Sequence, residues 1–505
     1  MTHRRLHPAT ILFVAAASLV GIAYACLIWQ QLRYGLEYDE SYNLTVVKNL
    51  AEGHGYATTG ISYGWYKAFD PAASTGPAML LPGAALWKLT GGVLWVVRLV
   101  PILYFLLYLG SLGWLFTSIA GRWAGLLAAA SPLVLSVGTA DISTVSLVPG
   151  RYVGEFTAVA LTVLMAALLY RRQPFLAGLA GGLALQAKLT FALPLLVVMG
   201  AWLLGCWLRK DLRRGATLVR LALGAAVPTL LFEVFRFTQV GASGYVPSLK
   251  EYVAWVIGYG TTGTDDHLAS TGRRLAGLAE TLSPLGAILL LGALAILALA
   301  AVAPRMIGRL PDDEGSLRRN PRSFDPIVGL LGPAVVMLLW WTLVPPEKLP
   351  RVGLPIILLG VPVLAVLTFI ALADLRAASR GRPRLVITWA AVAMSLGVAS
   401  LVAVQAWTAI GNDFGHRLYS EQQAGSQAII DSGTPSIPSV WIWNLAQFQI
   451  LTGIPSETRP GVAKPTVQVF DSIRARTDHG VDDARAFLDE CSTVLYASQS
   501  VVVCQ

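Results

Sequence analysis

Eleven apolar runs divide this chain, at 10–32, 92–117, 123–140, 153–170, 175–187, 190–208, 216–234, 282–303, 326–343, 352–373 and 385–410. Most approach the ~20 residues that a helix needs to cross ~30 Å of hydrocarbon. Their even background of Leu, Ala, Val and Gly lacks the alternation of a barrel strand, and lipid offers no partner for unpaired backbone groups, so each run predicts a helix. Short basic clusters separate them: Arg171-Arg172, Arg209 to Arg214, Arg305 to Arg322 and Arg376 to Arg384. Such loops stay in the cytoplasm. That rule keeps the N-terminus inside and sends 33–91, 141–152, 235–281, 344–351 and the tail from 411 to the outer face of a cytoplasmic membrane. The stretch 76–91 is too short and too interrupted by Pro and Gly to span, and predicts a helix along that outer face. Ala23-Tyr24-Ala25 resembles a signal-peptide cleavage site, yet the apolar run continues past it, so 10–32 is read as a first span.

Composition agrees. Over 505 residues, 55% are apolar and only 13% charged, and the mean hydropathy is +0.60, too apolar for a soluble protein of this length. The net charge of +9 sits in the loops, which explains it by membrane orientation and gives no reason to invoke nucleic acid. From Gly411 the pattern changes to turn residues with short β-type runs at 439–443, Gln447 to Leu451 and Val494 to Tyr496, and a helical stretch at 481–490. The expectation is an all-α polytopic membrane protein of about 11 transmembrane helices over 1–410, followed by a small extracytoplasmic α/β domain over 411–505. Cys26 and Cys206 lie in apolar spans and behave as small hydrophobes. Cys491 and Cys504 lie in the tail, and in an oxidising compartment they make a plausible disulfide. The loop 304–325 reads as a flexible connector.

Carboxylates that emerge at a membrane boundary must be solvated, paired or used, and the first acidic cluster, Glu37-Tyr38-Asp39-Glu40, does so right after the first span. Asp39 and Glu40 suit a general base that takes the proton of an attacking hydroxyl. Asp39 equally suits a helix N-cap, because a helical pattern runs on toward Gly53-His54-Gly55. Tyr42 and His54 are candidate substrate contacts. Glu155 stands at the outer mouth of a span, where an unpaired charge is costly; Arg151 is its obvious local partner, and Asp141 is a weaker acid in the same loop. Lys188 lies in a turn between two spans whose other ends are basic. Its ammonium either snorkels to the interface or meets a phosphate or an acidic residue. Lys348 and Arg351, in a proline-bounded outer loop, suit a lipid-linked phosphate or an interfacial anchor. Asp265-Asp266-His267 has no further ligand in view and reads as a solvated loop. Asn43-Leu44-Thr45 matches a glycosylation sequon. The sequence holds no Walker loop, dinucleotide fingerprint, HExxH or G-x-S-x-G.

Taken in order, Tyr38 to Tyr42, Asn49 to Gly55, Thr75-Gly76-Pro77, Trp95 to Arg98, Gly154-Glu155, Gly181 to Lys188 and Lys348 to Pro355 resemble the GT-C glycosyltransferases. These polytopic enzymes use polyprenyl-phosphate sugars and include protein O-mannosyltransferases and the lipid A aminoarabinose transferase. The likeness covers the first 210 residues or so and, more loosely, 330–375. It implies a glycosyltransferase with Asp39 as base, Glu155 as the second acid, and Lys188, Lys348 and Arg351, with Arg151 beside them, at the lipid phosphate. It further implies a polyprenyl-phosphate-linked sugar donor and a glycan, lipid or protein acceptor outside the membrane. These residues specify no cofactor, and a divalent cation stays open. A transporter or flippase for lipid-linked sugars is the alternative from another class, and a polysaccharide polymerase or ligase the alternative enzyme. The tail matches no motif of the family.

Overall fold

The computed structural model describes residues 7–57, 69, 75–137, 147, 149–208, 210, 214–259, 267–307, 324–343, 350–411, 414–434, 437, 446–454, 467–471 and 491–504. Helix α1 (Pro8–Leu32) starts on a proline, and the His7 ring nitrogen accepts from the Ala9 amide at 3.3 Å. Helix α2 (Tyr38–Glu52) stops at Gly53. Gly53 takes a φ of 85°, the left-handed turn that ends helices with a glycine. Helix α3 (Pro77–Thr90) fills the stretch too short to span. There follow α4 (Leu94–Val97), α5 (Leu99–Ala120), α6 (Arg122–Ala130), α7 (Gly154–Tyr170), α8 (Pro174–Ala187), α9 (Ala192–Leu208) and α10 (Arg214–Tyr259). The chain continues through α11 (His267–Glu280), α12 (Pro284–Ile307), α13 (Phe324–Leu343), α14 (Pro350–Ala378) and α15 (Arg382–Gly411) to α16 (Phe414–Asp431) and α17 (Ala446–Thr452).

Among the described residues, seven helical stretches are long and apolar enough to cross a membrane, and three shorter apolar helices accompany them. The fold is therefore a polytopic bundle of helices. In the short α7 every residue from Gly154 to Leu169 except the partly buried Leu164 is buried, and the main core of the bundle gathers around it. Backbones approach closely where side chains vanish. A Cβ on Gly178 would stand 2.0 Å from the Leu221 carbonyl oxygen and one on Gly182 2.5 Å from that of Ala225. Small residues four apart are how helices associate tightly where apolar burial gives no net drive.

Three expectations change. The run 123–140, read as a span, gives the nine-residue α6 and a 3-10 turn over Ser131–Val134. The stretch 235–281, read as an outer loop, is largely helical: α10 runs on to Tyr259 across a bend at Gly241, whose φ is 71° and ψ 173°. Gln447 to Leu451, read as β-type, forms α17. Short apolar runs do not reveal their period by themselves, and packing decided here, with Phe448 fully buried and Ile450 and Leu451 against the core beside α2. Strands β1 (Gln468–Asp471), β2 (Val494–Ala497) and β3 (Val501–Cys504) form an antiparallel sheet in the order β1-β3-β2. Cys491 and Cys504 are disulfide-bonded. The runs 439–443 and 481–490 and the connector's residues 308–323 lie outside the described residues.

Candidate active site

The α1–α2 corner is built around one arginine. Arg98, between α4 and α5, is 2% exposed. Its Nε and Nη2 donate to the two Glu40 carboxylate oxygens at 2.7 and 2.8 Å. Nη1 donates to the carbonyls of Tyr34 at 2.7 Å and Gln31 at 3.2 Å, and Nη2 to that of Gly35 at 3.4 Å. A guanidinium has five N–H donors, and these bonds use them all. The pair is a bidentate fork that also satisfies carbonyls left open past the end of α1. Glu40, with no exposed surface, is thereby committed to the corner.

Asp39 lies beside it in the first turn of α2, and Glu37 occupies the cap position without a capping bond from its side chain. Asp39 is therefore not the N-cap of α2. Inside the first turn, a carboxylate faces the positive end of the helix dipole. Asp39 is half-buried and so is Tyr42, which shares its side of the helix at i+3. Asn43, on the buried side, donates from Nδ2 to the Tyr152 carbonyl at 2.6 Å, so the sequon asparagine is packed between segments rather than presented as a surface acceptor.

The ion pairs differ from the local expectation. Glu155 Oε1 lies 3.1 Å from Lys188 Nζ, while Arg151 Nη1 lies 2.6 Å from Glu37 Oε2 with its guanidinium 5.5 Å above the Tyr34 ring. Burial works against the Arg151 charge, but Glu37, Tyr34 and Glu40 outweigh it and hold the guanidinium above its usual pKa. Burial also lifts the Tyr34 phenol, against the pull of Arg151. Lys188 reaches Glu155 because the ends of α8 and α7 are pressed together. A Cβ on Gly154 would stand 2.6 Å from the Ala187 carbonyl oxygen and 3.4 Å from both Lys188 Cδ and Thr75 Oγ1. The Gly76 amide donates to that same Ala187 carbonyl at 2.9 Å. Thr75-Gly76, Gly154-Glu155 and Lys188 thus meet at the end of the bundle that carries the α1–α2 corner.

A third arginine went unnoticed in the sequence. Arg236, on α10, is 2% exposed, and its guanidinium stands 4.5 Å from the Phe69 ring centroid, 5.2 Å from that of Tyr252 and 5.5 Å from that of Phe232. Phe69 stacks on Tyr56 at 5.0 Å, and the Tyr56 hydroxyl donates to the Thr75 carbonyl at 2.7 Å. The cage is therefore tied to the same loop. Glu233 comes within 3.4 Å of Arg236 Nη1, an ion-pair distance without hydrogen-bond geometry. Among the described residues, Nε and Nη1 have no hydrogen-bond partner. A lone arginine just past an apolar run reads as a boundary residue, and no spacing signal marks it.

His54, just past α2, has an exposed ring 3.9 Å from Glu52. Lys348, Asp141, Asp265 and Asp266 lie outside the described residues, and Arg351 is described only as backbone in the first turn of α14. Among the described residues, no three His, Cys, Asp or Glu side chains are grouped to hold a metal ion.

No family model and no curated protein sequence matches the chain. Solved structures do. ArnT from Cupriavidus metallidurans, crystallised bound to undecaprenyl phosphate, superposes with a TM-score of 0.59 at 16% identity, covering 98% of this chain and 97% of that one. Its apo form gives the same TM-score at 14% identity with the same coverage. The apo oligosaccharyltransferase of Archaeoglobus fulgidus is a more distant likeness, with a TM-score of 0.46 at 13% identity over 92% of this chain and 66% of that one. Over nearly its whole length, from α1 to the C-terminal sheet, the chain shares the polytopic fold of ArnT.

Proposed function

We propose that the protein is an integral-membrane glycosyltransferase that moves a sugar from a polyprenyl-phosphate carrier to an acceptor outside the cytoplasmic membrane. The observation that carries this reading is the gathering of Asp39, the Glu155–Lys188 pair and the caged Arg236 at one end of a bundle whose fold is that of ArnT. In the reaction, the acceptor hydroxyl attacks the anomeric carbon as Asp39 takes its proton, and the carrier phosphate departs with the bonding electrons, inverting the centre. Cations fixed beforehand around the departing phosphate supply the electrostatic stabilisation that dominates such transfers. Arg236 has the donors for this role, Lys188 stands 3.1 Å from Glu155, and the family resemblance adds Lys348 and Arg351 as phosphate contacts. Tyr42 and His54 line the acceptor side. Arg151, already engaged by Glu37, orients the corner with Glu40. Bound polyprenyl phosphate in the ArnT crystal supports a carrier of that class, and the sugar and acceptor are left to experiment.

The test uses the full-length protein in nanodiscs with a panel of polyprenyl-phosphate hexoses and pentoses, alongside mass spectrometry of envelope glycans from a deletion strain. Asp39→Asn should abolish transfer while the protein remains inserted and melts as the parent does. Near-normal product from that variant would overturn the assignment. Movement of lipid-linked sugar across the bilayer without transfer would favour a flippase.

A further inference from the structure

The turn that leads into Asp39 is gripped from both sides. On one side stands Arg98, with its bonds to the Tyr34 and Gly35 carbonyls. On the other is α16, from beyond the last membrane helix. Gln422 has no exposed surface; its Oε1 accepts from the Leu36 amide at 2.8 Å and its Nε2 donates to the Leu36 carbonyl at 2.8 Å. One primary amide thus satisfies both backbone groups of one residue, as a neighbouring strand would. The Gly35 amide donates to the Gly415 carbonyl at 2.9 Å. A Cβ on Gly35 would stand 2.5 Å from Leu418 Cγ, and one on Gly415 2.0 Å from the Tyr34 ring, so the two backbones touch with no room for a side chain. Leu36 lies only three residues before Asp39, too few for slack.

The grip is itself braced. Glu421, next to Gln422, accepts from the Ser500 amide and the Ser498 hydroxyl, each at 3.0 Å. A Cβ on Gly425 would stand 2.8 Å from Val501 on β3. Strand β3 ends at Cys504, disulfide-bonded to Cys491. From α17, Ile450 and Leu451 pack against the core that holds α2. Sheet, disulfide and α16 therefore bear on the single turn that aims the first acidic cluster.

We infer that the C-terminal unit positions the Asp39-bearing helix, and that Gln422 is the positioning residue through which it acts. The clamp is a property of the fold, and its effect on turnover rests on the function proposed above. Gln422→Leu keeps the bulk and removes both bonds, leaving the Leu36 amide and carbonyl buried without partners. Hydrogen–deuterium exchange of the full-length protein in detergent, without substrate, should show peptides over 34–45 exchanging about tenfold faster or more, with α5 peptides unchanged. Transfer should lose about tenfold in kcat, with the donor KM within about twofold, since a displaced base slows chemistry and spares binding. Gln422→Met keeps an unbranched side chain of similar length, offers the Leu36 amide only a weak sulfur acceptor and has no donor for the Leu36 carbonyl, so it should give a change in the same direction. It carries the test if the leucine variant fails to fold.

Unchanged exchange over 34–45 in either folded variant would overturn the clamp. Faster exchange with unchanged kcat would overturn the positioning role and leave the unit a purely structural brace. Exchange is read without substrate, so it judges the clamp even if the parent protein transfers no sugar, an outcome that would instead sink the proposed function.

Discussion

Arg98 and Arg236 are the same side chain at the same 2% exposure, yet one is spent and the other is held in reserve. Arg98 directs every N–H to a carboxylate or a carbonyl. Arg236 is enclosed by aromatic faces, which favour its charge without consuming its donors, and among the described residues its Nε and Nη1 remain unbonded. Burying a guanidinium costs several kcal/mol unless something answers it. Arg98 is answered by a fully buried carboxylate that takes two of its bonds, whereas Arg236 has the partly exposed Glu233 at 3.4 Å with no hydrogen bond from that nitrogen, and the function proposed above gives those donors to an anion. Burial alone does not separate the two arginines, and the census of their donors does.

The sharpest way to break this comparison is to remove the scaffold arginine. Arg98→Leu strands a buried Glu40 carboxylate and takes a donor from the Tyr34 and Gly35 carbonyls, and should cost about 3–5 kcal/mol. Thermal unfolding in detergent should show a large loss of stability or no folded protein, and parental melting would refute the structural role. Arg236→Gln should do the opposite, leaving the melting temperature close to the parent's while raising the donor KM roughly 10- to 100-fold, the worth of hydrogen bonds to a charged group. A variant that unfolds with KM intact would show that the cage serves stability. As the smallest effect, Glu52→Gln removes an exposed carboxylate 3.7 Å from the part-buried Lys48 and 3.9 Å from the exposed His54 ring. Melting and turnover should both stay at parental values, within about 0.5 kcal/mol of stability; a marked loss would mean that exposed charge at this end matters as much as buried charge.

Much of the bundle was legible because its signals are local. Apolar runs of membrane length, Pro77 at the start and Gly91 past the end of α3, and Gly53 past the end of α2 are written in short stretches of chain. The tail was harder. Gln447 to Leu451 carries no decisive period, and α17 takes its form from the surface it packs on.

The ionic partners were harder still. Four residues separate Arg151 from Glu155, and helical spacing makes them a natural pair, but Arg151 precedes α7 and turns back to Glu37. Glu155 is met instead by Lys188, which comes from the far end of the next helix.

The sequence by itself determined that this chain lives in a membrane as a bundle of helices, because the solvation of an apolar run and of its backbone depends only on the residues within it. It also marked where carboxylates and cations leave that bundle. Which acid meets which cation, which arginine keeps its donors open, and how the tail reaches Leu36 were decided by tertiary structure alone. Those facts are distances between residues up to 386 positions apart, and a charge's partner is set by what folding brings within 3–4 Å of it, a quantity that no local pattern encodes.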